Sequence, residues 1–288
     1  MGEVQITYDA TVEHLIQQRE LEGPRPTAFN TAARGSQAGQ CSRRIGLEML
    51  DAEETNEITV TTLLAFHIGT ALHSLTQVAM QDRLQMQLEV PIDLQPLGYP
   101  ISGHADGVYQ PYHKNPATAI WELKTKTSFG FRLAAKSGCP EKHEVAQAAM
   151  YGLGVPDCQW VHLVYLAKDT TYGKNAVKAG ETLEWFLEMD EPVPGCDGMT
   201  PRQIGSAEAT RITAIASEVF AQQCLPERFI PDYGTIHAVP EPDSKDQPWR
   251  CRYCTFNAVC STLPTGQTPL ENILIKRKET SERLTETV

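Results

Sequence analysis

Four cysteines constrain this chain more than any other feature. Cys251, Cys254 and Cys260 form the compact string C-R-Y-C-T-F-N-A-V-C, while Cys41 stands far upstream. A C-x2-C pair puts two thiolates within reach of one metal centre, and the third and the distant fourth complete a four-thiolate site. Any fold that satisfies this site must return the C-terminal segment to the N-terminal region. The spacing serves zinc and an iron-sulfur cluster equally, so it leaves both open. Closing so long a loop stabilises the fold by restricting the unfolded chain.

At 288 residues the chain can bury a sizeable core around one catalytic unit. Its formal charge of -11 argues against a generally basic coat, so contact with a polyanion has to come from local clusters. The start, M-G-E-V-Q-I-T-Y-D, has no basic stretch followed by an apolar core. No run approaches the roughly 18 apolar residues of a membrane span, and the longest candidate is interrupted by His67 and His73. These features predict a cytoplasmic protein without membrane contact. The eight cysteines then read as thiols in a reducing compartment, with Cys139, Cys158, Cys196 and Cys224 packed as small hydrophobes.

Apolar periodicity predicts helices over residues 9–19, 61–81, 141–152 and 206–223. Strands are expected over 88–93, 100–109 and 118–124, separated by turn-forming P-L-G and K-N-P, and an almost wholly apolar strand over 160–167. This order gives an α/β core with a mixed sheet. Residues 191–201 read as a loop, and the charged segment 271–288 as a terminal helix or a partly disordered tail.

Chemistry concentrates in that core. In W-E-L-K, Glu122 and Lys124 are two residues apart, so on a strand they share a face and set a carboxylate beside a cation. Asp106, in G-H-A-D on the preceding strand, supplies a second carboxylate. Mg²⁺ or Mn²⁺ is commonly held by one or two carboxylates plus waters and substrate phosphate. A solvent-facing E-x-K pair is the ordinary meaning of that motif alone; the G-H-A-D strand shifts the reading to a metal-dependent phosphodiesterase. His73 on the helix and His104 on the Asp106 strand compete as an imidazole ligand. Gln147 and Tyr151 share a helical face and can point together into a groove, against phosphate or against Lys124.

Taken together, His73, Asp106, E-L-K at 122–124 and Q-A-A-M-Y at 147–151, bracketed by the four cysteines, resemble the RecB-like branch of the PD-(D/E)XK nucleases with an iron-sulfur cluster. That branch includes the nuclease associated with CRISPR adaptation and the AddB nuclease domain. The resemblance implies a restriction-endonuclease-like core in which a central mixed β-sheet is flanked by helices. It implies metal ligation by His73, Asp106 and Glu122, catalysis assisted by Lys124, and DNA contacts near Gln147 and Tyr151. It also implies that Cys41, Cys251, Cys254 and Cys260 hold a [4Fe-4S] cluster, with structural zinc as the alternative. The chain departs from the pattern in G-H-A-D, where a more aliphatic approach to the aspartate is usual.

The expected organisation is an N-terminal helical region, 1–60, contributing Cys41; a nuclease core, 61–225; a cluster-binding segment, 226–265; and a charged tail, 266–288. Arg43 and Arg44 follow Cys41, and Arg250 and Arg252 flank Cys251, so closure of the clasp gathers them into a candidate phosphate-binding patch. Lys126, with Arg132 and Lys136, is a second candidate. The expected activity is metal-dependent cleavage of DNA, as an exonuclease on single strands or free ends, in recombination, replication, repair or CRISPR spacer processing. No helicase motif is present, so unwinding would fall to a helicase or a recombination or CRISPR-adaptation partner. The competing reading is a non-catalytic nucleic-acid-binding or assembly module with a structural metal site.

Overall fold

In the computed structural model the described residues are 32–56, 60–111, 117–232, 235–238, 251 and 253–273, with His14 and Gln17. The helix expected over 9–19 falls, apart from those two positions, outside them. So do Arg250, Arg252 and the tail beyond 273.

A six-stranded mixed sheet forms the centre, built from β1 (Ala33–Arg34), β2 (Gln87–Asp93), β3 (Ile101–Tyr109), β4 (Thr118–Lys126), β5 (Cys158–Ala167) and β6 (Thr182–Glu188). β4 and β5 run parallel through its middle, and β2–β3, β3–β4 and β5–β6 are antiparallel. Both faces of β4 and β5 are covered, which is why these strands read as near-continuous apolar runs rather than as alternations.

The pleat of β4 sorts its side chains between two cores. Ala119, Trp121 and Leu123 pack with Leu72, Met80 and Leu84 of helix α2 (Val60–Leu84), to which they present one face of the sheet. Ile120 points the other way, into the main core with Val145, Ala149 and Ile212. Those residues belong to α4 (Lys142–Leu153) and α5 (Pro201–Phe220), which meet closely at Gly205. A Cβ there would lie 2.8 Å from the backbone of Ala149 and Met150. The arrangement is a central mixed sheet flanked by helices on both faces. No described helix is long and apolar enough to cross a membrane.

The expected strands and the long helices are present with shifted ends. Helix α5 begins at Pro201, inside the segment read as a loop. Thr200 caps it by accepting from Gln203 N–H, while the Gln203 side chain returns to Thr200 N–H, and proline is well suited to the first helical position. The elements that were not expected include β1, α1 (Ser42–Met49), α3 (Ser128–Ser137), strand β6 and the short strands and helix after residue 223. Helix α3 is capped by Thr127 and closed by Gly138 in the left-handed region, a local signal legible in retrospect.

Residues 47–56 meet residues 254–263. Leu47, Ala52, Leu225 and Phe256 form a small separate core, with Cys254, Val259 and Leu263 packed on it. Thr55 and Asn56 donate their backbone N–H groups to Thr255 O at 2.8 and 3.0 Å, and Asn56 Nδ2 reaches Cys254 O at 2.7 Å. Arg43 is central to this junction. It is fully buried. Its Nε donates to Pro226 O at 2.9 Å, and its terminal nitrogens donate to the carbonyls of Pro264, Thr265 and Gly266. The expectation that Arg43 contacts a DNA phosphate is therefore corrected: its guanidinium is buried and spent on main-chain carbonyls, of which that of Pro226 is buried.

Arg43→Ala is expected to leave the buried Pro226 carbonyl without its donor and residues 264–266 without their tie, at a cost on the order of 2 kcal/mol. Urea unfolding measures the loss, and limited proteolysis should show earlier cutting near residues 264–266. Unchanged stability would remove the guanidinium as the tie between the ends.

Candidate metal-dependent active site

The site lies where β3 and β4 part. Their ladder runs from Tyr109↔Ala119 to Gly107↔Trp121 and stops. Further along the same edge of β3, β1 pairs with Ile101 and Ser102, so a gap opens between them over residues 103–106. Asp106 stands at the point of divergence, and its Oδ2 accepts Leu123 N–H at 2.7 Å in place of a ladder bond. The same oxygen lies 2.8 Å from His73 Nε2. This contact is made by His73 rather than by His104, which is exposed on the same open cleft of about 890 Å³.

The sheet is irregular at this level. Ile101 and Ala105 belong to the core under α4, and Val108 packs against it, whereas Tyr109 belongs to the core under α2. Across β2, Leu88 packs on the α2 side and Val90 on the α4 side. Both strands therefore switch faces around Asp106 and Glu89, and Glu89 sits at φ 47°. The alternation that placed His104 and Asp106 on one face does not hold through this switch.

Glu122 and Lys124 project together toward α4, as a two-residue spacing on a strand requires. Lys124 Nζ donates to Glu122 Oε1 at 2.7 Å and to Gln147 Oε1 at 2.9 Å. Gln147 Nε2 donates to Glu122 Oε1 at 3.0 Å and to Tyr151 OH at 3.3 Å. The i, i+4 spacing of Gln147 and Tyr151 thus serves one network. The Tyr151 ring is received by glycines, since a Cβ on Gly35 or Gly103 would come within 2.2 or 2.7 Å of its Cε1. That accounts for the glycine of G-H-A-D.

Glu122 is 1% exposed in the central strand, and its Oε2 is buried without a hydrogen-bond partner. Burial and the nearby Asp106 carboxylate push its pKa up to about 7, against the pull of Lys124. Burial opposes the charge on Lys124, but Glu122, Asp106 and Glu144 outweigh it and hold the ammonium protonated well beyond neutral pH. At His73 burial likewise opposes the charge, and the hydrogen bond and charge of Asp106 more than compensate, so its pKa is raised. Two carboxylates, one with a bare buried oxygen, and an imidazole drawn toward positive charge form a site suited to a divalent cation.

Sequence reading missed two members of this neighbourhood. Gln77 lies one helical turn beyond His73 and donates to Glu89 Oε1 at 2.6 Å and to Asp106 O at 3.1 Å. The i, i+4 relation to His73 was the available signal. Among the described residues, the group of three or more His, Cys, Asp or Glu ligand atoms that all lie within 4.8 Å of one another is that of His73, Glu89 and Asp106.

Cys41, Cys251, Cys254 and Cys260 line a second cavity of about 380 Å³, whose wall includes Lys124, Glu144 and Gln147 from the first. No disulfide joins any of the eight cysteines. Burial, together with Cys41, Cys254 and Cys260, pushes Cys251 up to about 11. Arg44 lines the same cavity and bonds Glu48 at 2.8 Å. Lys126 is drawn away from any phosphate role: its Nζ bonds Glu141 at 2.6 Å and Glu144 at 2.9 Å and lies 4.4 Å from the Tyr165 ring centroid. Within the second basic cluster, Lys126 is thus engaged by two glutamates.

A carboxylate whose folded pKa is raised loses stability as pH climbs from its ordinary value to the raised one. Metal-free protein should therefore be weakened at this position between about pH 4.5 and 7, and Glu122→Gln should be spared. The melting temperature of Glu122→Gln minus that of wild type, in EDTA, is expected to become more positive from pH 5 to pH 8, by about 2–4 °C for each kcal/mol. A difference that moves the opposite way would place the Glu122 pKa low.

No protein-family model matches the chain, and no curated protein matches it. Among solved structures it is similar to SSO0001, at 17% identity and a TM-score of 0.48, over 90% of this chain and 98% of that one. It is also similar to an alkaline exonuclease from Laribacter hongkongensis, at 15% identity and a TM-score of 0.42, over 63% of this chain and 78% of the other. The same exonuclease in complex with dAMP gives 16% identity, a TM-score of 0.39, and coverage of 65% and 91%.

Proposed function

We propose that this protein is a metal-dependent DNA nuclease of the RecB-like PD-(D/E)XK kind, acting on single strands or DNA ends. The observation that carries the proposal is the convergence of His73, Asp106, Glu122, Lys124, Gln147 and Tyr151 on one cleft, with Glu122 Oε2 buried and unpartnered. Evolutionarily costly placements of this kind in a central strand are hard to account for by stability alone, because a buried carboxylate without full hydrogen bonding destabilises the fold.

His73, Asp106 and Glu122 would hold Mg²⁺ or Mn²⁺. When bound, the cation lowers the pKa of water and neutralises phosphate charge. Lys124 is kept protonated by its acidic neighbours, so it serves as a fixed positive charge for the transition state rather than as a base. Gln147 holds Lys124 and Glu122 in register, and Tyr151 holds Gln147. Arg34 and Lys168 line the same cleft and supply positive charge along a path for a phosphate backbone.

The four cysteines are proposed to carry a [4Fe-4S] cluster. Four thiolates serve zinc or a cluster equally, and the likeness of the motif set to the iron-sulfur branch favours the cluster; the four cysteines line a cavity of about 380 Å³. The cluster would then reinforce the junction that Arg43 and the small apolar core already make.

Lys124→Ala is expected to reduce Mn²⁺-dependent cleavage of end-labelled single-stranded DNA by about 10²-fold or more, with far-UV circular dichroism and visible absorbance unchanged. Cleavage at the wild-type rate would remove Lys124 from the mechanism. Anaerobically purified Cys254→Ala is expected to lose the brown absorbance and much of its soluble yield. Stoichiometric zinc in a colourless wild-type protein would replace the cluster by a structural zinc site.

A further inference from the structure

We infer that Glu89 is a ligand of the catalytic cation, held in place by Gln77, and that this set selects Mn²⁺ over Mg²⁺. The inference rests on the cation-dependent reading of the cleft, which it deepens by adding a residue that lies outside the His73, Asp106, Glu122 set.

Glu89 faces Asp106 across the β2–β3 ladder, between the pairs Leu88↔Gly107 and Val90↔Ala105. Two carboxylates directly opposed on neighbouring strands repel. Here they are nevertheless brought together with the His73 ring, and the three ligand atoms lie within 4.8 Å of one another. Glu89 reaches this position only through a left-handed backbone, φ 47°, which a β-carbon disfavours. Gln77, itself buried, spends one amide on both strands, 2.6 Å from Glu89 Oε1 and 3.1 Å from Asp106 O, and so fixes their spacing.

An independent feature points to the same ligand. Glu122 is 1% exposed, lines the same cleft, and keeps Oε2 buried without a hydrogen-bond partner, while its Oε1 is engaged by Lys124 and Gln147. Like charges gathered at one level of the sheet, together with an unspent buried oxygen, are balanced by a cation. Its chemistry follows from the donors. Mg²⁺ demands an octahedral oxygen shell and keeps several waters, whereas an imidazole among carboxylates turns the preference toward first-row transition ions, of which Mn²⁺ is the one that also suits carboxylate oxygens.

The test is Mn²⁺ titration of the full-length protein without DNA, reading free Mn²⁺ by electron paramagnetic resonance, on wild type, Glu89→Gln and Glu89→Ala. Melting curves in EDTA verify that each variant is folded, as expected for an exposed position. Glu89→Gln and Glu89→Ala are expected to bind Mn²⁺ about 10-fold more weakly or worse, and Mg²⁺ is expected to displace Mn²⁺ from wild type only in large excess. Wild-type affinity in both variants would overturn the role of Glu89 while leaving the cation site intact. No Mn²⁺ binding by wild type would overturn both this inference and the cation-dependent reading. Mn²⁺ binding that depends on Glu89, in a protein that cleaves no DNA, would sustain the ligand and overturn the nuclease.

Discussion

The separation of β3 from β4 is the constraint on which the site depends. A continuous ladder would have consumed the Leu123 N–H, and Asp106 would have been one more residue between two strands. Because the ladder stops at Gly107↔Trp121, the Asp106 carboxylate takes over that N–H and is fixed beside His73. The buried strand interior then supplies Glu122 and Lys124 at a rigid position, and a central parallel pair is among the least deformable supports a fold offers. The open end of the gap becomes the cleft.

Electrostatics at the site runs against stability and in favour of chemistry. Glu122 is pushed up to about 7 by burial and by Asp106, and Lys124 is held charged by the same carboxylates. The Glu122 carboxylate is thereby disfavoured, whereas the Lys124 ammonium is stabilised by its acidic neighbours. Gln147 connects them to Tyr151, and Tyr151 is admitted only by Gly35 and Gly103. Positions far apart in the sequence are thus tied to one small volume by hydrogen bonds and by the absence of two β-carbons.

The junction of the chain ends obeys a different logic. The cysteine cavity shares Lys124, Glu144 and Gln147 with the cleft that holds Asp106 and Glu122, so the two have a common wall. Arg43, the apolar contacts of Phe256 and Leu47, and the backbone bonds of Thr55 and Asn56 hold residues 43–56 to residues 254–266. A centre bound by the four thiols would add to that junction, beside the cleft that holds Asp106 and Glu122.

The sequence by itself determined what local rules encode. Two-residue spacing in W-E-L-K set Glu122 and Lys124 on one face, and four-residue spacing joined Gln147 to Tyr151. Apolar periodicity located the main strands and long helices, and the cysteine string required the ends to meet. Only the tertiary structure decided which basic residues were available, because burial among carbonyls claimed Arg43 and two glutamates claimed Lys126. It alone brought Glu89 to Asp106, since strand register is fixed by pairing with a partner rather than by the strand's own residues. The face switch at that level overrode the alternation that sequence reading relies on, and it did so where opposed carboxylates replace ordinary packing.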